Sequence, residues 1–239
     1  MLTDVEYWKL IKKIGSYNDK WDEIVATKTL IIENLIKSLD PDAKSILFTS
    51  FNPVALALVD HYNVSIICDD LFASSFDLSQ TKTYSSIADI KNKYDIVIAL
   101  DEYFTYAETE NQQRDLMDQL IKSIGGWLIT TLQDYKNFAP HKKNQIDALN
   151  INSEHNYIVL ENSIADRTDK QIWNHYFYCI RDHLDLMTIG PVTRRTMYFK
   201  QLAKYSSDAG SKQYVIQKNL LYKGFFSKNF EHIITVKFK

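Results

Sequence analysis

Tyr94-Asp95-Ile96-Val97-Ile98-Ala99-Leu100-Asp101 decides the fold of this chain. Ile96 to Leu100 is an unbroken apolar run, so a strand made from it has no face to give to water and must be covered on both sides. An aspartate stands near each end of the run. Outward from it the same pattern repeats. Ser45-Ile46-Leu47-Phe48-Thr49 and Val64-Ser65-Ile66-Ile67-Cys68 precede it, with a weaker strand near Lys82-Thr83-Tyr84, and Trp127-Leu128-Ile129-Thr130-Thr131-Leu132 follows. Helical segments fill the gaps. Asn52-Pro53 opens a helix to about Tyr62, with proline at the first helical position, where its missing N–H would be unpaired anyway. A short helix is expected from Ser85 to Lys91. Gln112 to Ile124 carries Leu116, Leu120, Ile121 and Ile124 on one face, and Gly125-Gly126 then turns the chain into the fifth strand.

Buried strands alternating with helices predict an α/β fold, a Rossmann-like doubly wound and mostly parallel sheet. In such sheets ligands bind beyond the carboxyl ends of the strands, where the strand order reverses. Five strand ends are thereby nominated: Thr49 to Asn52, Asp69-Asp70, Tyr84-Ser85, Asp101-Glu102 and Gln133-Asp134.

The flanking regions read differently. Asp4 can cap a helix to Ile14, and Asn18-Asp19 opens a longer one to Leu39, where Trp21, Ile24, Val25, Thr29, Ile32, Leu35, Ile36 and Leu39 trace an apolar stripe. Residues 135–190 hold two strand-like runs, Tyr157 to Leu160 and Ile172 to Ile180, read as an inserted hairpin or lid. Residues 193–207 look helical, and Tyr214 to Gln217 with His232 to Val236 resemble a closing antiparallel pair. No Pro- or Ser-rich linker interrupts residues 1–239, so a single domain is expected.

Composition sets outer limits. Of 239 residues, 45% are hydrophobic and 24% charged, ordinary values for a globular chain. Cys68 and Cys179 each lie in an apolar run, the usage of small buried hydrophobes in a reducing compartment. The start of the chain lacks signal-peptide character, and no apolar stretch approaches the roughly 20 residues that span a bilayer. A cytoplasmic location without a membrane partner follows. The net charge of −2 is unevenly spread: residues 1–150 hold 15 basic against 22 acidic side chains, residues 151–239 hold 13 against 8.

Four local features resemble the class I S-adenosylmethionine-dependent methyltransferases. They are the acidic pair Asp69-Asp70 after the second strand, the Tyr94 to Asp101 strand with its polar end, the Leu120 to Ile129 helix, double glycine and strand, and Arg194 to Gly210 leading into Tyr214-Val215. The resemblance covers about residues 44–134 and 193–238. It implies a seven-stranded sheet and S-adenosylmethionine as cofactor. It also implies a helical cap (1–40), a cofactor-binding half (44–134), an insertion (135–190) and a C-terminal part (191–239). The family's first loop normally carries two or three glycines. Here it is Thr49-Ser50-Phe51-Asn52-Pro53, so Ser50 and Asn52 would offer side-chain hydrogen bonds instead.

The resemblance assigns cofactor contacts to Thr49, Ser50, Phe51, Asn52, Asp69, Asp70, Tyr84 and Asp101. A carboxylate after the second strand can accept from two ribose hydroxyls at once. Asp101 or Glu102 would take a proton from the acceptor, and Tyr103, Tyr106, Asp134 and Tyr135 would line the acceptor pocket. The histidines make no metal-ligand pattern; His175 and His183 stand eight apart without a partner at ligand spacing. The functional expectation is methyl transfer to a small molecule. Two alternatives stay open: a fold relative that no longer binds cofactor, and a nucleic-acid protein. The second would use the basic and aromatic residues of 194–228, among them Arg194, Arg195, Lys200, Lys204, Tyr198, Tyr205 and Tyr214.

Overall fold

The structure is a computed structural model. It describes the backbone of residues 20–68, 77–107, 109–134, 143–152, 155–165, 170–180, 184–222 and 230–239, with side chains for 22–68, 77–107, 109–134, 195–221 and 231–239. In chain order the elements are α1 (Lys20–Leu39), β1 (Ser45–Phe48), α2 (Pro53–Ala57), β2 (Asn63–Ile67), β3 (Lys82–Tyr84), β4 (Tyr94–Ala99), α3 (Glu110–Ile121) and β5 (Ile124–Leu132). Then come β6 (Lys143–Asn152), β7 (His155–Ala165), β8 (Lys170–Ile180), β9 (Leu184–Arg195), α4 (Phe199–Asp208), β10 (Gln213–Tyr222) and β11 (Phe230–Lys237). The helix expected before Ile14 lies outside the described residues. No described helix is long and apolar enough to cross a membrane.

By contact density the chain falls into two units, Met1–Ile24 with Phe138–Thr196, and Val25–Asn137 with Met197–Lys239. The larger unit holds a seven-stranded sheet in the order β10-β11-β5-β4-β1-β2-β3. β3, β2, β1, β4 and β5 run parallel, and β11 enters antiparallel between β5 and β10. The order therefore reverses between β1 and β4. Strand alternation sends Leu47, Val97, Ala99, Leu128, Leu132, Ile234 and Val236 into a core shared with Met117 and Leu120 of α3 and Leu202 and Tyr205 of α4. Ile46, Phe48, Ile96 and Ile98 alternate with them and are equally buried. β4 thus has no exposed face, as its sequence requires.

The β4–β5 seam explains the double glycine. A Cβ on Gly125 would sit 2.7 Å from the Tyr94 carbonyl oxygen, and one on Gly126 2.8 Å from that of Asp95. Both glycines lie inside β5, which already begins at Ile124, where the strand register shifts against β4. They are positions of close backbone approach, not the turn that their sequence suggests.

Several boundaries differ from the sequence reading. α2 stops at Ala57, five residues short of Tyr62, and the segment after Tyr84 makes only a 3-10 turn at Ile87–Asp89. α3 starts at Glu110 because Thr109 forms a capping box: its hydroxyl accepts from Gln112 N at 3.2 Å, and its N–H donates to Gln112 Oε1 at 2.9 Å. Arg194 and Arg195 close β9, and the helix following them begins only at Phe199. The expected closing pair is present, with Tyr214 opposite Val236 and Ile216 opposite Ile234.

The smaller unit contains a four-stranded antiparallel sheet, β6-β7-β8-β9. The sequence marked only the two middle strands, because β6 (KNQIDALNIN) and β9 (LDLMTIGPVTRR) lack a continuous apolar run. The hairpin is thus the centre of a longer meander.

Candidate functional site

The reversal between β1 and β4 places the carboxyl ends of these strands side by side. Ile46, Leu47 and Phe48 pair with Ile96, Val97 and Ile98, and the Thr49 N–H donates to Ile98 O at 3.0 Å. On the other side the Thr130 hydroxyl donates to Ala99 O at 2.7 Å. β4 is held from both flanks up to Ala99, and beyond Leu100 the chain reverses sharply.

Asp101 (φ 55°) and Glu102 (φ 57°) make that reversal, and they are the only described non-glycine residues with positive φ. Each such residue costs roughly 1–2 kcal/mol relative to a right-handed conformation, so two in succession need compensation. The Glu102 N–H donates to the Thr131 hydroxyl at 3.2 Å, and the Glu102 carbonyl accepts from the Thr105 N–H at 2.7 Å and the Thr105 hydroxyl at 2.8 Å. The Glu102 carboxylate is buried and its Oε1 accepts from Gln133 N at 3.2 Å, which ties the β4 end to the β5 end. Backbone strain concentrated on a ligand-facing sheet edge points to a functional turn.

The loop after β1 needs no glycine. Asn52 is extended (φ −149°, ψ 135°) and caps α2. Its Oδ1 accepts from Val54 N at 3.0 Å, and its Nδ2 donates to Asp101 Oδ2 at 2.9 Å. One amide thus starts a helix and grips the β4 carboxylate. Phe51 is buried and Ser50 half-buried. Thr49, 4% exposed, keeps a buried hydroxyl with no hydrogen-bond partner among the described residues. An orphaned buried hydroxyl is costly, and a bound ligand relieves it.

Lys28 completes the cluster. It lies on α1 four residues before Ile32 and eight before Ile36, and all three are fully buried. Its Nζ stands 3.9 Å from Asp101 Oδ1, whose side chain is 22% exposed. Sequence reasoning missed Lys28 because the stripe was traced through uncharged residues alone. A lysine at the i+4 step between Ile24 and Ile32 was the available signal.

Of the residues nominated from sequence, Asn52 and Asp101 are in direct contact, and Thr49 is joined to the same strand pair through its backbone. Asp69, Asp70 and Tyr135 lie outside the described residues. The Tyr84 hydroxyl lies 3.0 Å from that of Tyr94, which donates to Ser65 Oγ at 2.9 Å, so it turns inward along the sheet. Tyr103 is half-buried, stacks edge-on to Phe104 at 5.5 Å, and burial pushes its hydroxyl up. Tyr106 is 49% exposed, and Asp134 is half-buried.

The donor set suits a zwitterionic ligand: a partly exposed carboxylate for a cation beside hydroxyls for an anion. S-adenosylmethionine, with its sulfonium, ammonium and carboxylate, has that pattern of charge, so the residues present fit it. The C-terminal aromatics are differently employed. The Tyr205 hydroxyl donates to Glu110 at 2.9 Å and that of Tyr214 to the Phe199 carbonyl at 3.1 Å, so both hydroxyls are used within the fold.

No protein-family model matches the sequence, and no curated protein matches it. Solved structures do match the fold. The DesVI protein of Streptomyces venezuelae superimposes with a TM-score of 0.74 at 11% identity, covering 99% of this chain and 98% of its own. The amino pentose methyltransferase CalS10 of Micromonospora echinaspora, solved with S-adenosylmethionine bound, gives 0.73 at 10% identity over 100% and 98%. The sugar N-methyltransferase KedS8 of a Streptoalloteichus species gives 0.72 at 12% identity over 90% and 88%.

Proposed function

We propose that this chain, class I methyltransferase in fold, is an S-adenosylmethionine-dependent methyltransferase acting on a small-molecule acceptor. The observation that carries the reading is Asp101. It is a partly exposed carboxylate on a strained turn at the β1–β4 switch point, gripped by Asn52 at 2.9 Å and backed by Lys28 at 3.9 Å. The neighbours in fold include enzymes that act on sugars and on magnesium protoporphyrin IX.

When bound, the cofactor supplies a methyl group made electrophilic by the positive sulfur. Asp101 would hold the cationic portion, with Asn52 fixing the orientation of its carboxylate. The Thr49 and Ser50 hydroxyls would donate to the carboxylate portion, in place of the bare backbone that glycines would present. Asp69 or Asp70 would accept from the ribose hydroxyls. Glu102, buried and bonded to Gln133, is a positioning residue that holds the turn. Tyr103, Tyr106 and Asp134 would line the acceptor side. Catalysis of an in-line displacement would then rest on alignment of donor and acceptor and on exclusion of water.

Isothermal titration with S-adenosylmethionine and S-adenosylhomocysteine tests the reading. Binding at micromolar concentration, lost in Asp101→Ala, is the expected result. No heat and no thermal stabilisation at millimolar ligand would instead identify a fold relative without cofactor. A salt-dependent shift with short RNA and none with either ligand would favour the basic C-terminal face as the working surface.

A further inference from the structure

The last residues that β4 and β5 pair are Ala99 and Thr130, and the Asp101–Glu102 turn lies just beyond them. Two successive threonine hydroxyls of β5 carry the seam past that point. Thr130 donates to Ala99 O at 2.7 Å, and Thr131 accepts from Glu102 N at 3.2 Å. The hydrogen bonds that hold the turn are of two kinds. Those from Thr105, three residues on, lie within the turn and move with it. Those from Thr131 and Gln133, 29 and 31 residues away in sequence, tie the turn to the sheet. Gln133 reaches the Glu102 carboxylate, whereas Thr131 reaches the Glu102 N–H. That N–H belongs to the planar peptide unit that starts at the Asp101 Cα. The Thr131 bond therefore constrains ψ of Asp101 and φ of Glu102 together, at the two residues whose φ is positive.

We infer that Thr131 is a positioning residue: its hydroxyl orients the Asp101–Glu102 peptide and so sets where the Asp101 carboxylate stands against Asn52. Glu102 and Thr131 are both fully buried, so water does not replace the bond when the hydroxyl is removed. A buried N–H without an acceptor, on a turn already strained, moves the peptide towards another arrangement. The Asp101 carboxylate then shifts from its 2.9 Å contact with Asn52 Nδ2. The effect on ligand affinity rests on the cofactor reading above; the effect on the Asn52–Asp101 contact does not.

The test follows the Asn52 side-chain amide by proton–nitrogen correlation spectroscopy, assigned through Asn52→Ser, beside thermal melts and calorimetric titration with S-adenosylmethionine. Thr131→Val removes the hydroxyl and keeps the shape of the side chain. Thr131→Ala repeats the test should the valine variant fail to fold. Either should displace the Asn52 amide signal and weaken the ligand about three- to tenfold, the scale of one net hydrogen bond. Thr131→Ser should restore the signal, and the affinity to within about twofold of wild type. Gly125→Ala loosens the same β4–β5 seam at its other end, so it should lower the thermal midpoint and leave the amide signal in place. A folded Thr131→Val or Thr131→Ala with the wild-type amide signal overturns the inference, because Thr131 would then act through packing alone. Displacement of the signal by Gly125→Ala also overturns it, since any loosening of the seam would suffice. If wild type binds no ligand, the cofactor reading fails by itself, and the amide signal alone judges Thr131.

Discussion

The two ends of β4 each present an aspartate to β1, and the two are used in opposite ways. At the amino end, Asp95 Oδ2 accepts from the N–H groups of Lys44 and Ser45, both at 2.9 Å, and from the Ser45 hydroxyl at 2.8 Å, while the Ser45 hydroxyl oxygen accepts from Asp95 N at 3.1 Å. At the carboxyl end, the partners of Asp101 among the described residues are side chains, Asn52 and Lys28, on a left-handed turn. A carboxylate consumed by backbone N–H groups fixes strand register and has little left for a ligand. One held by side chains can exchange a partner when a ligand arrives. The same residue type at both ends of one strand thus separates a structural role from a functional one, and the difference lies in what each carboxylate touches.

The largest expected effect breaks the pair apart. Asp101→Ala should weaken S-adenosylmethionine binding about a hundredfold, the scale of removing one partner of a charge pair, and should also lower the urea midpoint, because it takes a carboxylate away from the buried Lys28 ammonium. Asp95→Ala should cost stability alone: about 2 kcal/mol lost with three charge-assisted hydrogen bonds at a partly exposed position, and affinity within twofold of wild type. Acid adds a second handle on Asp95. Burial alone would raise its carboxyl, but the Lys44 and Ser45 N–H groups, the Ser45 hydroxyl and the Lys44 charge outweigh it and hold the group below the usual range. A depressed folded value means that this stabilisation is complete above about pH 4 and is lost as pH falls through the folded value. Urea melts at pH 7, 4 and 3 should therefore show the Asp95→Ala deficit shrinking on acidification. A deficit constant with pH would mean that Asp95 acts through its shape and not its charge.

Gly125→Ala comes next and probes the amino end of β4 from the β5 side. The new Cβ would meet the backbone oxygen of Tyr94, which cannot rotate away, so the strands must separate. A cost of about 1–3 kcal/mol is expected, read as a lowered thermal midpoint. The protein that remains folded should bind ligand normally, since the switch point lies at the other end of the strand. Loss of affinity without loss of stability would show that the two ends are coupled and that the contrast drawn above is false.

How far the sequence carried these distinctions depended on what each feature leaves in local patterning. β1, β2, β4 and β5 were legible because strands buried on both faces must be apolar throughout, and even the three-residue β3 was found at Lys82–Tyr84. The switch point was nominated because Asn52 and Asp101 sit at strand ends. Their hydrogen bond was not foreseen, since 49 residues separate them and no local rule links the two. Lys28 stayed hidden because a buried lysine breaks the apolar stripe that would have located it. The double glycine was noticed but misread: a pair of glycines signals a turn and a close strand contact equally well, and only the Tyr94 and Asp95 carbonyls decide between them. β6 and β9 carried too little apolar patterning to be seen.

The smallest effect concerns Tyr84, which strand-end reasoning placed among the cofactor contacts at the carboxyl edge of β3. Burial pushes the Tyr94 hydroxyl up to about 12, so it stays protonated and donates to Ser65 Oγ. With that hydrogen committed, the Tyr84 hydroxyl must be the donor in its 3.0 Å contact with Tyr94. Its direction is then set by the amino end of β4 and not by the ligand edge. The ring is held independently, with Lys82 Nζ 4.9 Å from its centroid, so Tyr84→Phe removes one half-buried hydrogen bond and leaves the packing in place. A loss of about 0.5–1 kcal/mol is expected, with unchanged affinity for S-adenosylmethionine. A tenfold loss of affinity at unchanged stability would mean that the hydroxyl serves the ligand after all. The functional edge would then extend from β4 across β1 and β2 to β3, and the division between the two ends of the sheet would hold for the aspartates alone.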